Sequence, residues 1–394
     1  MAIRTIDDSI LQGIAEAIQA KDGGGKMYDT EMRGRIEAIP TGGGVKTQKV
    51  NFYDFKGNLV HSYTAAEAAE LTEMPEAPTI EGFTFQKWNW SLASIKTWLT
   101  KHENDNCDLN VGGLYVTTDG HTRIYMHLRE AKLASLEMPF CIQQMAGTVV
   151  IDWGDNSTPE TITAAGVYSH VWQFNQYPAD VVIDIEYTPS GSTKLVLGRA
   201  VGLTNLFNNE PYYASCVETV ELGNNIDLFT TFKNCTHLRE INLPDGLTSI
   251  SAYVFQNCTS LALIVLPDEV TSISTSAFQN CTNLALTVLP DEVTSIGTSA
   301  FYGCRNLALT VLPNGVTSID TFAFQNCTSL YIIDLTAFTN PQLVPTLFNA
   351  NAFQGIPTQA QFWVANQEMY DAFTTATNWS AYADRFQIKP SGVI

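Results

Sequence analysis

Positive charge is scarce in this chain: 21 lysines and arginines stand against 40 acids in 394 residues, a formal net charge of −19. A surface this acidic repels phosphate backbones and anionic lipid, which argues against nucleic acid and membrane surfaces as partners. Charge of either sign is thin, at 15% of residues, where an average soluble domain has about 25%. Thr, Ser, Asn and Gln take its place, and the 45% apolar content is that of a folded chain. Long apolar runs are missing; stretches such as Leu261–Leu266 are strand-sized and fall short of the roughly 20 residues that span a bilayer. No basic segment opens the sequence: Asp7 and Asp8 stand where an export signal carries its positive charge, so a standard secretion signal is not expected.

Catalytic and metal signatures are missing too. The histidines at 61, 102, 121, 127, 170 and 237 show no HExxH spacing, and no GxSxG or P-loop pattern occurs. Gly23–Gly25 and Gly42–Gly44 lack the Lys-Ser/Thr that a phosphate cradle needs and read as linkers. No pair of carboxylates stands out as a glycan-cleaving site. The expectation is a protein with no catalytic residues, no metal and no cofactor. Asp152 and Asp155 could hold calcium, although Asp in such a turn more often accepts bonds from backbone amides. Asp268-Glu269 and Asp291-Glu292, repeated after Leu-Pro pairs, could bind a cation but read better as solvated turns.

What is present divides into modules, as the length predicts. Residues 1–44 read as a helical hairpin with a Gly linker: Ile6, Ile10, Ile14 and Ile18 form one apolar stripe, and Met32 and Ile36 a second. Helices this short need something to dock against. Residues 45–106 read as a small α+β hairpin module, with strands around a Gly57-Asn58 turn, helix at Glu67–Leu71, an aromatic strand Phe83–Trp90 and helix from Ser91. Residues 107–190 hold short alternating strands (Leu114–Val116, Arg123–Leu128, Val149–Ile151, Val181–Ile185) that predict a β-sandwich.

From residue 191 the sequence repeats. Phe232, Phe255, Phe278, Phe301 and Phe324 are 23 residues apart, as are Cys235, Cys258, Cys281, Cys304 and Cys327, and the leucines at 238, 261, 284, 307 and 330. A fixed period with LxxLxL-like leucines predicts a solenoid over 191–340, closed by 341–394, with a degenerate unit near Val217–Leu222. An odd row of Cys without CxxC pairs predicts reduced, buried thiols. If residues between the leucines face outward, Leu263, Val265, Leu286, Val288, Leu309 and Val311, flanked by Tyr331, form an exposed contact patch. A one-residue shift of register turns the Leu and Val inward and Thr287 and Thr310 outward instead.

The run Phe278-Gln279-Asn280-Cys281-Thr282-Asn283-Leu284, continued by Leu289-Pro290-Asp291-Glu292-Val293-Thr294-Ser295-Ile296, closely resembles the BspA-type leucine-rich repeat, and Asn378–Asp384 resembles the segment that closes such arrays. Val150–Ser157 with Tyr168–Val171 is similar to the PKD-type sandwich module, departing from it at Asn156 and around Tyr177–Asp180. The N-terminal pair looks like helical elements at the start of phage structural proteins. The BspA-type family occurs in bacterial surface proteins and in phage-encoded ones. These resemblances imply a non-enzymatic virion protein, on tail, baseplate or capsid, anchored to other virion proteins through Ile6, Ile10, Ile14, Ile18, Met32 and Ile36. Its repeats would meet a host surface protein or glycan, with a homo-oligomer compatible. The alternative they imply is a bacterial surface adhesin exported by a non-standard route.

Overall fold

The computed structural model describes residues 48–101, 108–128, 137–172, 178–198, 205–228 and 231–389, apart from residues 264, 287, 308 and 310. The helical hairpin expected at 1–44, with Ile6, Ile10, Ile14, Ile18, Met32 and Ile36, lies outside the described residues.

The first module pairs β1 (Lys49–Tyr53) with β2 (Leu59–Thr64), then α1 (Ala65–Glu70), β3 (Phe83–Trp88), α2 (Leu92–Lys101) and β4 (Leu109–Thr117). Its sheet order is β2-β1-β4-β3. Thr64 starts α1 through a capping box with Glu67, which satisfies two otherwise unpaired amides. Leu114–Val116, expected in the sandwich, belongs to this sheet: β4 runs parallel to β1 and antiparallel to β3. Every residue of β4 is buried, because its second face lies on the repeats. That explains why β4 lacks the apolar–polar alternation of a one-sided strand.

Two sheets follow. One carries β5 (Thr122–Leu128), β7 (Gly147–Asp152), β8 (Glu160–Ile162) and β10 (Ala179–Pro189); the other carries β6 (Met138–Gln144), β9 (Gly166–His170) and β11 (Leu195–Leu197). Inward residues such as Ile124, Phe140, Ile151, Trp153 and Ile183 share one core. The repeats grow directly from both sheets. Helix α3 (Pro211–Ala214) leads into β12 (Val217–Glu221), which adds to β5, and β13 (Ile226–Leu228) adds in parallel to β11. β14 (Glu240–Ile241) then pairs with β12. The sandwich therefore covers one end of the repeat stack, and the hydrophobic core runs unbroken from Ile124 to Phe386.

The coils stack in parallel through β15 (Ser249–Ile250), β16 (Ser272–Ile273), β17 (Ser295–Ile296) and β18 (Ser318–Ile319). β19 (Ile332–Asp334) opens a closing sheet, β20 (Thr346–Leu347) ends the first one, and β21 (Gln361–Val364), α4 (Gln367–Thr375) and β22 (Phe386–Ile388) complete the chain. Inside, Phe232, Phe255, Phe278, Phe301, Phe324 and Phe353 form a stack of rings 5.1–6.2 Å apart. Trp379 ends it, fully buried, donating its indole N–H to Pro345 O at 2.8 Å.

The cysteine row is more than apolar filler. Cys258, Cys281, Cys304 and Cys327 each donate from Sγ to a phenylalanine carbonyl oxygen of the preceding coil, at 3.0 Å. Burial drives these thiols far above their ordinary pKa, so they stay protonated and unreactive.

The expected apolar contact patch is not exposed. Leu263, Leu286 and Leu309 are buried in the core of the coils, on the same side as Leu261, Leu284 and Leu307. Val265 and Val311 are buried as well, and half-buried Val288 packs against the core of the first module. The valines face out of the coil, and the module of residues 48–117 covers them. Trp98 of α2 lies over Val288 and Val311, and β4 passes so close that a Cβ built on Gly112 would sit 2.8 Å from Val265 Cβ. Tyr331, beyond the covered stripe, is half-buried.

Candidate functional site

With one flank of the repeats occupied by the module, the flank bearing the Phe-Gln-Asn-Cys-Thr turns is left open. It holds a groove of ≈ 1220 Å³ running from Tyr212 at the sandwich end to Asn326 and Thr328. Its floor follows from one backbone demand. Each coil makes a turn with a residue in the left-handed region: Asn234 (φ 67°), Asn257 (63°), Asn280 (61°), Gly303 (72°) and Asn326 (62°). Asn and Gly are the residues that adopt this conformation most easily, so the turn selects them. Their amides knit neighbouring coils together, as Asn280 N donates to Tyr302 O at 2.7 Å and Gly303 N to Gln325 O at 2.8 Å.

The same demand lines up side chains. Asn257 Nδ2 donates to Asn234 Oδ1 at 2.8 Å, and Asn280 Nδ2 to Asn257 Oδ1 at 2.9 Å. Two residues on, Thr259 and Thr282 donate their hydroxyls to the carbonyls of Thr236 and Thr259 at 3.1 and 3.0 Å. Both rows are thereby fixed, yet each amide has a second N–H and each oxygen a second lone pair beyond the bond it makes along the row. The pattern changes in one coil, where Tyr302-Gly303-Cys304-Arg305 replaces Gln-Asn-Cys-Thr. Gly303 removes an amide from the row, and the Asn280 carboxamide fills its place, since a Cβ there would sit 2.6 Å from Asn280 Oδ1; exposed Arg305 stands in the threonine row. No carboxylate is among the described residues that line the groove. Tyr212, 55% exposed, forms one end.

Residues 207–355 match the family model for the BspA type leucine rich repeat region, in six copies. The groove lies wholly within that stretch. Three solved structures are similar: a T. pallidum leucine rich repeat protein (24% identity over 44% of this chain and 92% of that one, TM-score 0.30); a leucine rich cell surface protein of Faecalibacterium prausnitzii A2-165 (20%, 46% and 55%, TM-score 0.33); and a leucine-rich repeat protein of Bacteroides ovatus ATCC 8483 (19%, 45% and 52%, TM-score 0.28). The chain spans about half the length of the latter two. No curated protein matches it.

Outside the repeat groove, the carboxylates singled out in the sequence are engaged within the fold. Asp152 accepts from Gly154 N at 2.9 Å, and Asp155 from Ser157 N at 3.0 Å and His170 Nε2 at 2.8 Å. The His170 ring stacks on Trp153 at 4.8 Å. His121 and His127 bond Asp184 and Asp180, each at 2.6 Å.

Asp268 and Glu269, which read as a solvated turn, instead join Asp245 of the preceding coil around the Lys87 ammonium of β3. Lys87 Nζ lies 2.9 Å from Asp245 Oδ1 and 3.0 Å from Asp268 Oδ1, and it also bonds Glu269. Burial works against that ammonium, but the bonds to Glu269, Asp245 and Asp268 outweigh it and hold its pKa above the ordinary lysine value. Two buried asparagines complete the joint: Asn89 donates to Leu266 O at 3.0 Å, and Asn242 Nδ2 to Tyr115 O at 2.8 Å.

Sequence reasoning concentrated on the Phe, Cys and Leu rows and passed over the Asn and Thr rows between them. The signal was available in the same spacing: Asn234, Asn257, Asn280 and Asn326 keep it, and Gly303 and Arg305 interrupt it.

Proposed function

We propose that this chain is a non-enzymatic recognition protein acting outside the cell, which grips its partner along the Asn/Thr groove of the repeats. One observation carries this reading: a groove edged by fixed Asn and Thr side chains, with no carboxylate among its described lining residues, persists across the coils of a strongly acidic protein while the opposite flank is closed by the chain's own module. Rows already held by bonds within the protein lose little further freedom when a ligand binds, which favours affinity. The match to the BspA type repeat supports an adhesive role, and the likeness of Val150–Ser157 to the PKD-type module agrees with it.

The carrier we propose is a phage particle, with the sandwich and repeats directed at the host; a BspA-like protein on a bacterial surface would use the same groove. Filling the groove tests the binding reading. The double variant Thr259→Trp/Thr282→Trp, with native circular dichroism and melting, is expected to lose sedimentation with target cells. Wild-type sedimentation by that variant refutes it. Immunogold labelling of particles and of cells separates the two carriers.

A further inference from the structure

Resting on that reading of the groove, we infer that its ligand is an extended acidic polysaccharide, lying along the repeat axis with one carboxylate or sulfate held at Arg305. Dimensions, chemistry and charge converge on this class.

The coils are spaced by the stacking of strands, with phenylalanine rings 5.1–6.2 Å apart. A pyranose unit in an extended chain has nearly the length of one coil's thickness, so successive sugars meet successive coils in the same register. Each coil other than that of Gly303 and Arg305 offers an Asn amide and a Thr oxygen, a donor and an acceptor, to hydroxyls that both donate and accept. The groove is open and elongated, running across successive coils from Tyr212 to Thr328, as an extended chain requires. Tyr212, exposed at one end, and half-buried Tyr302, midway, offer aromatic surface for sugar faces.

Charge selects within the class. Arg305 is exposed and forms no ion pair with any described residue. It sits where other coils have Thr236, Thr259, Thr282 and Thr328. A guanidinium presents a planar fork that matches carboxylate and sulfate. Elsewhere an acidic surface repels a polyanion, so retention of one by this chain requires a specific cationic contact.

Affinity electrophoresis of the full chain in gels containing polygalacturonate, dextran sulfate or neutral dextran tests the inference, the first two distinguishing carboxylate from sulfate. Retardation is expected with at least one polyanion and not with neutral dextran. Arg305→Ala should weaken that retention about tenfold or more, as loss of a charge-assisted contact does, and Arg305→Lys should keep part of it. Equal retardation by neutral dextran, no retardation by either polyanion, or polyanion binding insensitive to Arg305→Ala overturns the inference. If cell binding is still lost in Thr259→Trp/Thr282→Trp under those outcomes, the groove remains the binding site and its ligand is of another class, such as a protein.

Discussion

Replacing Lys87 by Met should release the first module from the repeats before the repeats themselves unfold. The ammonium is held by Asp245, Asp268 and Glu269, at 2.9 and 3.0 Å for the two aspartates, with every partner about a third exposed. Coulomb attraction at contact distance is several kcal/mol at an effective dielectric near 20. Solvent screening and desolvation offset most of it, so the net loss should be roughly 1–3 kcal/mol, between the values for exposed and buried pairs. The loss is enlarged because Met leaves three carboxylates facing one another with no cation among them. Tryptophan fluorescence from Trp88, Trp90 and Trp98, all in the module core, should report an earlier urea transition than far-ultraviolet dichroism of the repeats. Adding Asp245→Asn, Asp268→Asn and Glu269→Gln should return most of the lost stability, since the repulsion then disappears. Millimolar calcium should do the same for Lys87→Met alone, because carboxylate oxygens are its preferred ligands. An unshifted fluorescence transition in Lys87→Met, or no recovery when the acids are neutralised, refutes the electrostatic account of this joint.

Other expectations concern the packing. Gly112→Leu should undock the module without unfolding the repeats, because its side chain would occupy the volume of Val265; limited proteolysis, with the repeats surviving as a resistant fragment, would detect it. Cys281→Ala should cost about 1–3 kcal/mol in denaturant unfolding through the lost volume and the lost bond to Phe255 O, with Cys281→Ser losing less. Native protein should also resist thiol reagents at its repeat cysteines until it unfolds. Asp119 is held down to about 2, chiefly by the hydrogen bond from Arg123. A depressed carboxylate stabilises the fold fully above its unfolded pKa and loses that contribution as pH falls from there through the folded value. Asp119→Asn should therefore flatten the acid limb of stability between about pH 4 and pH 2, measured by thermal melting across that range.

Much of the interior was legible in the amino-acid order because burial repeats identically from coil to coil. The Phe, Cys and Leu rows occupy the core as their spacing predicts. The first module's hairpin follows its local pattern, while the helix expected at Glu67–Leu71 spans Ala65–Glu70 instead, because the Thr64–Glu67 capping box starts it earlier. The faces were harder. A valine that points outward and is then covered by another module has the same local pattern as one that meets a partner, so Val265, Val288 and Val311 could not be read correctly from periodicity. The fully buried β4 and the Lys87 contacts likewise depend on residues far away in the chain: Glu269 lies 182 positions from Lys87. Local sequence carries no record of such pairings.

The groove illustrates a different way in which sequence can be read. A repeat repeats because each coil meets the same folding demands, so a departure is informative when the fold does not require it. Asn satisfies the left-handed turn at 234, 257, 280 and 326, and Thr serves at 236, 259, 282 and 328. Gly303 answers to the close approach of Asn280 Oδ1, but exposed Arg305 is not needed to build the coil. Arg305→Thr, which restores the neighbours' residue at an exposed site, should change stability by no more than about 0.5 kcal/mol. Phe301→Ala, four residues earlier and inside the ring stack, should cost about 3–5 kcal/mol. Chemical denaturation of the two variants side by side measures the contrast. A large loss for Arg305→Thr would assign that arginine to the scaffold and remove the ground for reading the interrupted coil as a site of recognition.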